Sequence, residues 1–191
     1  GAAPTGTASE AEYFEISVTE RVDPERVRSA LDTALPEGLD ILEVVPAGPG
    51  SLAERLQASE WEIVFPLTEL SAVHEAVARL LASDSAPVSR TFKTGPKIFD
   101  ARAAIVDAEV SEGATRGVDG SESGPYAILR VVVQHTTPVV RPDDILTALR
   151  SVADLESAVS PMVTRRAQGL LQTAPAGVAD PLAADKEAVG G

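Results

Sequence analysis

The chain has 191 residues, 44% hydrophobic and 24% charged, and its 29 acidic against 16 basic side chains give a formal charge of −13. This composition predicts one globular domain or two small ones, and the absence of cysteine excludes disulfides, thiolate metal sites and a cysteine nucleophile. The absence of thiols fits a cytoplasmic protein. The longest apolar runs are far shorter than the roughly 20 residues of a membrane helix, so no contact with a membrane is expected.

The first part of the chain alternates strand and helix patterns. Residues 13–18 alternate apolar and polar side chains, which indicates a strand. Asp23 and Pro24 are a typical N-cap and first helical residue for a helix that ends before residues 36–38. Residues 39–45 are predicted to form a second strand.

The same order of elements then repeats. Ser51 begins a capping-box motif for a short helix, and residues 61–65 have a strand pattern. A helix capped by Thr68 and a strand at 88–93 follow. Because β-α-β followed by β-α-β is the order of a ferredoxin-like split βαβ unit, we expect an α+β fold, a ferredoxin-like sandwich over residues 12–93.

Residues 94–172 are predicted to complete the same domain with additional strands and a third helix. Residues 1–11 are interpreted as a truncated N-terminal segment. Residues 173–191, rich in Ala, Gly and Pro, are predicted to be a disordered tail, so truncation after Gln172 should leave thermal stability nearly unchanged. The elements expected in 94–172 are a turn at 94–96, strands at 98–110 and 126–135, a polar loop at 112–125, a helix from Pro142 and a short amphipathic piece near 163–171.

The apolar positions of these elements predict one hydrophobic core. Helix positions three or four apart, and alternate strand positions, lie on one face. The residues expected to be buried together are Val27, Leu31, Ile63, Phe65, Val73, Val77 and Val131.

Two histidines are the only imidazole groups of the chain. His74 lies beside the apolar stripe of a helix, and a half-buried structural role is favoured because Ala78, four residues on, cannot share a metal. His135 follows an apolar strand, at a strand end where loops build binding sites; a hydrogen-bonded strand terminus is the alternative. We predict no metal site and no cofactor.

The basic segment 90–102 is the strongest candidate for ligand binding, because it holds four cations and one acid in an acidic chain. On a strand, Asp100 and Arg102 would point to the same face, while Lys93 and Lys97 flank a turn. Two interleaved phenylalanines could stack a base, so a phosphate-bearing ligand such as RNA is predicted. A solvated hairpin whose charges protect a sheet edge is the alternative.

Several short motifs follow one another along the chain. Together they resemble the radical-SAM-associated domain of unknown function. The motifs are Ala2-Ala3-Pro4-Thr5-Gly6, Ala8-Ser9-Glu10-Ala11-Glu12-Tyr13, Leu35-Pro36-Glu37-Gly38-Leu39, Ser51-Leu52-Ala53, Lys93 with Phe99-Asp100-Ala101-Arg102, His135-Thr136-Thr137-Pro138 with Arg141-Pro142-Asp143-Asp144, Val163-Thr164-Arg165 with Ala167-Gln168-Gly169, and Ala179-Asp180-Pro181-Leu182.

The resemblance implies a domain that is either fused behind a cobalamin-binding-type radical SAM module or made as a separate short protein, often encoded near ribonuclease E/G and ribosomal-protein genes. This chain resembles the separate form. Family members begin with a further segment, containing a His-Arg-rich helix, that is expected to be missing before Gly1. The candidate ligand-binding residues are Lys93, Lys97, Asp100, Arg102, His135 and Arg141.

Three functions remain open. The first is a non-catalytic accessory or substrate-recognition protein acting with a radical SAM protein in trans, in an RNA or translation context, since a chain without cysteine cannot hold that enzyme's iron–sulfur cluster. The second is an RNA-modifying enzyme that uses Asp100 as acid or base, by fold analogy alone. The third is a protein-interaction module. A pocket that brings Asp100 and Arg102 to His135 would favour the second over the first.

Overall fold

The computed structural model describes residues 2–113 and 126–189, and the predicted α+β class is confirmed. In this part of the chain the helices are α1 (Pro24–Ala34), α2 (Leu52–Arg55), α3 (Leu70–Ala82), α4 (Pro142–Ala153) and α5 (Ala183–Val189). The strands are β1 (Ala8–Ser9), β2 (Ala58–Phe65), β3 (Pro87–Phe92), β4 (Gly95–Asp100), β5 (Ile105–Gly113), β6 (Tyr126–Gln134), β7 (Met162–Thr173) and β8 (Ala176–Ala179). A single 3-10 turn, Arg102–Ala104, connects β4 to β5.

The main sheet has the order β1-β7-β2-β6-β5, and β8 pairs with the C-terminal end of β7. Its long strands are antiparallel, with Ile63 of β2 opposite Leu129 of β6 and Val163 of β7. β3 and β4 form a separate hairpin. The nearly continuous apolar run of β6 fits its position between β2 and β5, where it has neighbours on both sides.

The core lies between one face of this sheet and helices α3 and α4. Both helices are amphipathic and bury one face, which explains why apolar spacing predicted them correctly. Five of the seven predicted core residues are buried together: Ile63, Phe65, Val73, Val77 and Val131.

The prediction for the other two core residues, Val27 and Leu31, is wrong. Both are only half-buried, because α1 has the predicted bounds but no buried residue. Strands predicted at 13–18 and 39–45 do not form in the described part of the chain, and Phe14 is 58% exposed. An extended segment needs a neighbouring strand to satisfy its backbone groups, and the described strands all pair with other segments. The ferredoxin-like order is therefore not confirmed.

The long strand predicted at 98–110 is interrupted. Asp100 Oδ1 accepts hydrogen bonds from the backbone N–H groups of Ala86 (2.8 Å) and Arg102 (2.9 Å), which fixes a chain reversal after β4. β4 therefore pairs only with β3, and β5 starts afresh beside β6. Consequently Asp100 and Arg102 do not lie on one face of one strand.

Residues 173–189 of the predicted tail form a strand and a helix, so the prediction of a disordered tail is wrong for this described part. β8 pairs with β7, and the carboxylate of Asp185 in α5 is buried against Arg55 and the loop before α2. The composition of this segment did not indicate order because it contains few large apolar side chains; backbone pairing and one buried charge hold it. Beyond Gly113, the predicted polar loop lies outside the described residues.

Candidate functional site

A cavity of about 170 Å³ lies where the N-terminal segment and the loop after β6 cover one end of the main sheet. Its apolar lining comes mainly from Val133, Val139 and Val140. Its polar and aromatic lining comprises Ser59, Trp61, His135, Arg141, Arg165 and Gln168. The cavity therefore brings together two of the six predicted binding residues, His135 and Arg141, but neither Asp100 nor Arg102.

Strand register explains why these side chains meet. Ser59 of β2 lies opposite Val133 of β6 and Gln168 of β7, and Trp61 lies opposite Arg165. The pairing of β2 with β7 shifts by one residue at this point. Because of that bulge, Gln168 and Arg165, which are three residues apart, both oppose residues on the same face of β2.

A hydrogen-bonded pair forms the floor of the cavity. Ser59 Oγ lies 2.8 Å from His135 Nε2, and His135 Nδ1 lies 2.6 Å from the backbone oxygen of Leu56. A carbonyl oxygen only accepts, so Nδ1 carries a proton, and in the neutral ring Nε2 accepts from the serine hydroxyl. Burial lowers the pKa of His135 below its ordinary value of 6.5, and the charge of Arg165 adds to this effect, while the bond to Leu56 opposes it.

Arg165 is the buried cation of the site, with 4% of its surface exposed. Its guanidinium stacks over Trp61, 4.7 Å from the ring centroid, and its Nη1 lies 3.1 Å from Glu12. Burial lowers the pKa of Arg165, while the charge of Glu12 raises it. Gln168 donates to the backbone oxygen of Ala11, so both side chains attach the N-terminal segment to the sheet.

Arg141 is exposed and directly precedes α4. Its backbone N–H donates to Asp144 Oδ2 at 2.7 Å, and the same carboxylate forms an ion pair with Arg90 at 2.7 Å. Within the described residues, no ion pair involves the guanidinium of Arg141. This residue is therefore a cation available to a ligand.

The arrangement can bind an anion more readily than it can perform hydrolysis. A serine triad requires a carboxylate that orients the histidine and stabilises its charged form; here a neutral carbonyl occupies that position. By contrast, the described residues of the lining contribute two guanidinium groups and an imidazole, and no carboxylate.

The basic hairpin β3–β4 is largely engaged in internal contacts. Arg90 lies over Phe92 and Phe99, 4.8 and 4.9 Å from the ring centroids, in addition to its ion pair with Asp144. Lys93 and Lys97 are exposed near the turn. Phe92 and Phe99 thus serve as the surface on which Arg90 stacks, a pairing that strand periodicity did not indicate.

Asp100 and Arg102 are bound within the fold. Besides the two backbone bonds to Asp100, Arg102 Nε donates to the oxygen of Leu81 and Nη1 donates to that of Ile105. These contacts favour a structural role for both residues. His74, predicted to be half-buried, is exposed because it lies on the outer side of α3, next to the buried Val73.

One protein-family model matches residues 1–142 of the chain. It describes DUF2344, an uncharacterized protein conserved in bacteria. The chain belongs to this family. The predicted domain of unknown function is thereby confirmed, although the family description names no enzyme partner. No curated protein and no solved structure matches the chain significantly.

In this DUF2344 protein, the matched region includes Ser59, His135 and Arg141 but ends before Arg165 and Gln168. Sequence reasoning did not select Ser59, Trp61, Arg165 or Gln168 as site residues. The sequence feature that could have identified Arg165 and Gln168 is that both lie among the apolar residues of β7, where a buried polar side chain is unusual. Recognising it would have required the bulge between β2 and β7.

No group of three or more His, Asp or Glu side chains that could hold a metal ion occurs among residues 2–113 and 126–189. Over the same residues, no helix has the length and hydropathy needed to cross a membrane.

The contact of the hairpin with RNA remains a prediction, now restricted to Lys93 and Lys97. Replacing both with alanine should weaken any RNA affinity of the chain and reduce the log–log salt slope by roughly 1.4, since each phosphate contact to a single strand contributes about 0.7. The measurement is RNA binding at several salt concentrations, with exposed Arg79→Ala as the control. Equal slopes in wild type and double variant would show a solvated hairpin only.

Proposed function

We propose that this DUF2344 protein is a non-catalytic substrate-recognition accessory of a radical SAM enzyme that acts in trans. The observation that carries the proposal is the cavity at the sheet end, whose described residues provide buried polar side chains and positive charge but no complete catalytic set. The absence of cysteine leaves the iron–sulfur chemistry to the partner. The ordered motifs that resemble the radical-SAM-associated domain supply the identity of that partner.

Burial of polar groups supports a binding role for the cavity. Ser59, Arg165 and Gln168 are each at most 4% exposed, and all three line it. Polar side chains cost free energy when they are removed from water, so they are retained where hydrogen bonds or function compensate. Their placement around one open cavity is typical of a recognition site with a few polar groups on an apolar wall.

The RNA-modifying alternative depends on Asp100 as acid or base. Asp100 accepts hydrogen bonds from two backbone N–H groups and lies outside the lining of the cavity. Both observations favour the accessory role over this alternative. An RNA or translation context remains compatible with the accessory role through Lys93 and Lys97.

A protein-interaction module is the second candidate function. Half of the large apolar side chains that are exposed in the described part of the chain fall within residues 14–42. Exposed apolar side chains favour contact with another protein. These residues are Phe14, Ile16, Val18, Leu39 and Leu42.

The test uses the radical SAM protein that co-purifies with the tagged chain from an anaerobic extract of its host. We expect the chain to stimulate substrate turnover by that enzyme and to have no turnover alone. Arg141→Ala should reduce the stimulation. The control is Arg150→Ala, which removes an exposed arginine of α4 and should leave the stimulation unchanged. Turnover by the chain alone, or a radical SAM protein whose turnover does not respond to it, would contradict the proposal.

A further inference from the structure

The cavity at the sheet end is positively charged, although the whole protein is negatively charged. The chain carries −13, yet the ionisable groups of the lining are Arg141, Arg165 and His135. Glu12 offsets part of the charge of Arg165 from outside the lining. Opposite charge is what an anion needs from a site, and the buried position of Arg165 strengthens its electrostatic interactions because the dielectric is low there.

The Ser59–His135 pair can adapt to an anion without moving. A hydroxyl has one proton to donate and can accept two hydrogen bonds. With neutral His135, the proton of Ser59 is directed to Nε2. When the ring is protonated, Nε2–H donates to Ser59 Oγ instead, since the carbonyl of Leu56 already fixes Nδ1–H, and the serine proton becomes free to donate into the cavity.

We infer that this cavity binds the oxyanion group of a small ligand, a carboxylate or a phosphate, between Arg141 and Arg165, with the hydroxyl of Ser59 as a third donor. Arg141 suits this task because its planar guanidinium can donate two parallel hydrogen bonds to either group, and Arg165 adds its buried positive charge beside its contact with Glu12. The inference rests on the proposed function for its biological meaning: the ligand is the substrate that the accessory presents.

The size of the cavity limits what enters it. About 170 Å³ is close to the volume of an engineered cavity of roughly 150 Å³ that holds benzene. An oxyanion with a few further atoms fits this space, while Trp61 and the valine wall provide contact for an apolar or planar part. A larger ligand would keep the remainder of its structure outside.

The experiment measures binding of sulfate, phosphate and acetate to the whole chain by calorimetry and by the ligand-dependent rise in melting temperature. We expect saturable binding that falls by about tenfold or more in Arg141→Ala, the effect of losing a charge-assisted contact, and is unchanged in Arg150→Ala. Phosphate and acetate distinguish the two oxyanion classes. Absence of saturable binding for all three, or equal affinities of wild type and Arg141→Ala, would overturn the inference.

A second measurement tests the serine–histidine pair. Sulfate keeps its charge between about pH 5 and 8, so a pH dependence of its affinity reports the protein. Affinity should rise as the pH falls in wild type, because bound anion favours protonated His135, and should be nearly flat in His135→Gln. The other charged groups around this ring are the N-terminal amino group, Arg141, Arg165 and, next to Arg165, Glu12, and His135→Gln leaves all of them in place. An equal pH dependence in both proteins would remove Ser59 and His135 from the site.

These binding measurements need no enzyme partner. Loss of sulfate and phosphate binding with intact stimulation of a radical SAM enzyme would overturn the oxyanion site and leave the accessory role standing. If the chain binds sulfate and phosphate but stimulates no radical SAM enzyme, the accessory role is overturned and the oxyanion site stands.

Discussion

Replacing Val77 with aspartate is expected to lower the free energy of unfolding by roughly 3 to 5 kcal/mol, because it buries a charge that has no partner. Val77 lies on the sheet-facing side of α3, is 4% exposed, and belongs to the core that contains Phe65 and Val131. For a chain of this length, such a loss corresponds to a decrease in Tm of roughly 10 °C.

The matched control is Ala78→Asp, one residue along the same helix at an exposed position. It introduces the same carboxylate but leaves it in water, and its helix-propensity cost, up to about 0.7 kcal/mol from alanine, exceeds that of Val→Asp, so any larger loss in Val77→Asp comes from burial. Thermal unfolding of both variants, followed by circular dichroism, measures the difference. Equal decreases in Tm would show that α3 does not bury this face.

Local patterns in the sequence were sufficient for the elements that contain their own signal. The N-cap of Asp23 and the capping box at Ser51 set helix starts that the structure reproduces. The apolar stripe of α3 and the apolar run of β6 placed the core correctly, because burial follows directly from side-chain spacing in these elements. These features depend on residues within a few positions of one another.

Predictions that depended on a distant partner were less successful. Residues 13–18 have a strand pattern, but a strand also requires a neighbour, and alternation within one segment cannot supply it. Conversely, β7 contributes an entire strand beside β2 although its pattern is weak, because Arg165 and Gln168 occupy interior positions. Pairing along the sheet, rather than local propensity, decided both outcomes.

The candidate site shows the same contrast between what a local pattern can predict and what depends on a distant partner. The position of His135 at a strand end indicated a site, and its hydrogen bond to Ser59 joins residues 76 positions apart. The basic segment looked like a phosphate site because its charges are adjacent in the chain. In the structure Arg90 is neutralised by Asp144, 54 positions away, and stacks on the phenylalanines that were expected to hold a base.

The C-terminal segment gives the other large expected effect, opposite to what its composition predicted. Asp185 Oδ2 accepts from Arg55 Nη1 at 2.6 Å, Oδ1 accepts from the backbone N–H of Gly48 at 3.1 Å, and Arg55 also donates to the oxygen of Pro181. Two glycines allow this close packing. A Cβ at Gly48 would overlap the carboxylate of Asp185, and a Cβ at Gly169 would overlap the carbonyl oxygen of Ala179.

Asp185→Ala is therefore expected to lower the free energy of unfolding by about 3 kcal/mol or more, because Arg55 then remains buried without its counter-charge. Truncation after Gln172 should lower the free energy of unfolding at least as much, since it also removes the strand that pairs with β7.

The neighbouring Lys186→Ala is the control: its ion pairs with Glu43 and Asp180 are partly exposed and should contribute at most about 1 kcal/mol. Chemical denaturation of the three proteins measures the order. If the truncated chain unfolds at the same denaturant concentration as the full chain, residues 173–191 contribute no packing, and the disordered tail predicted from composition would be the better description.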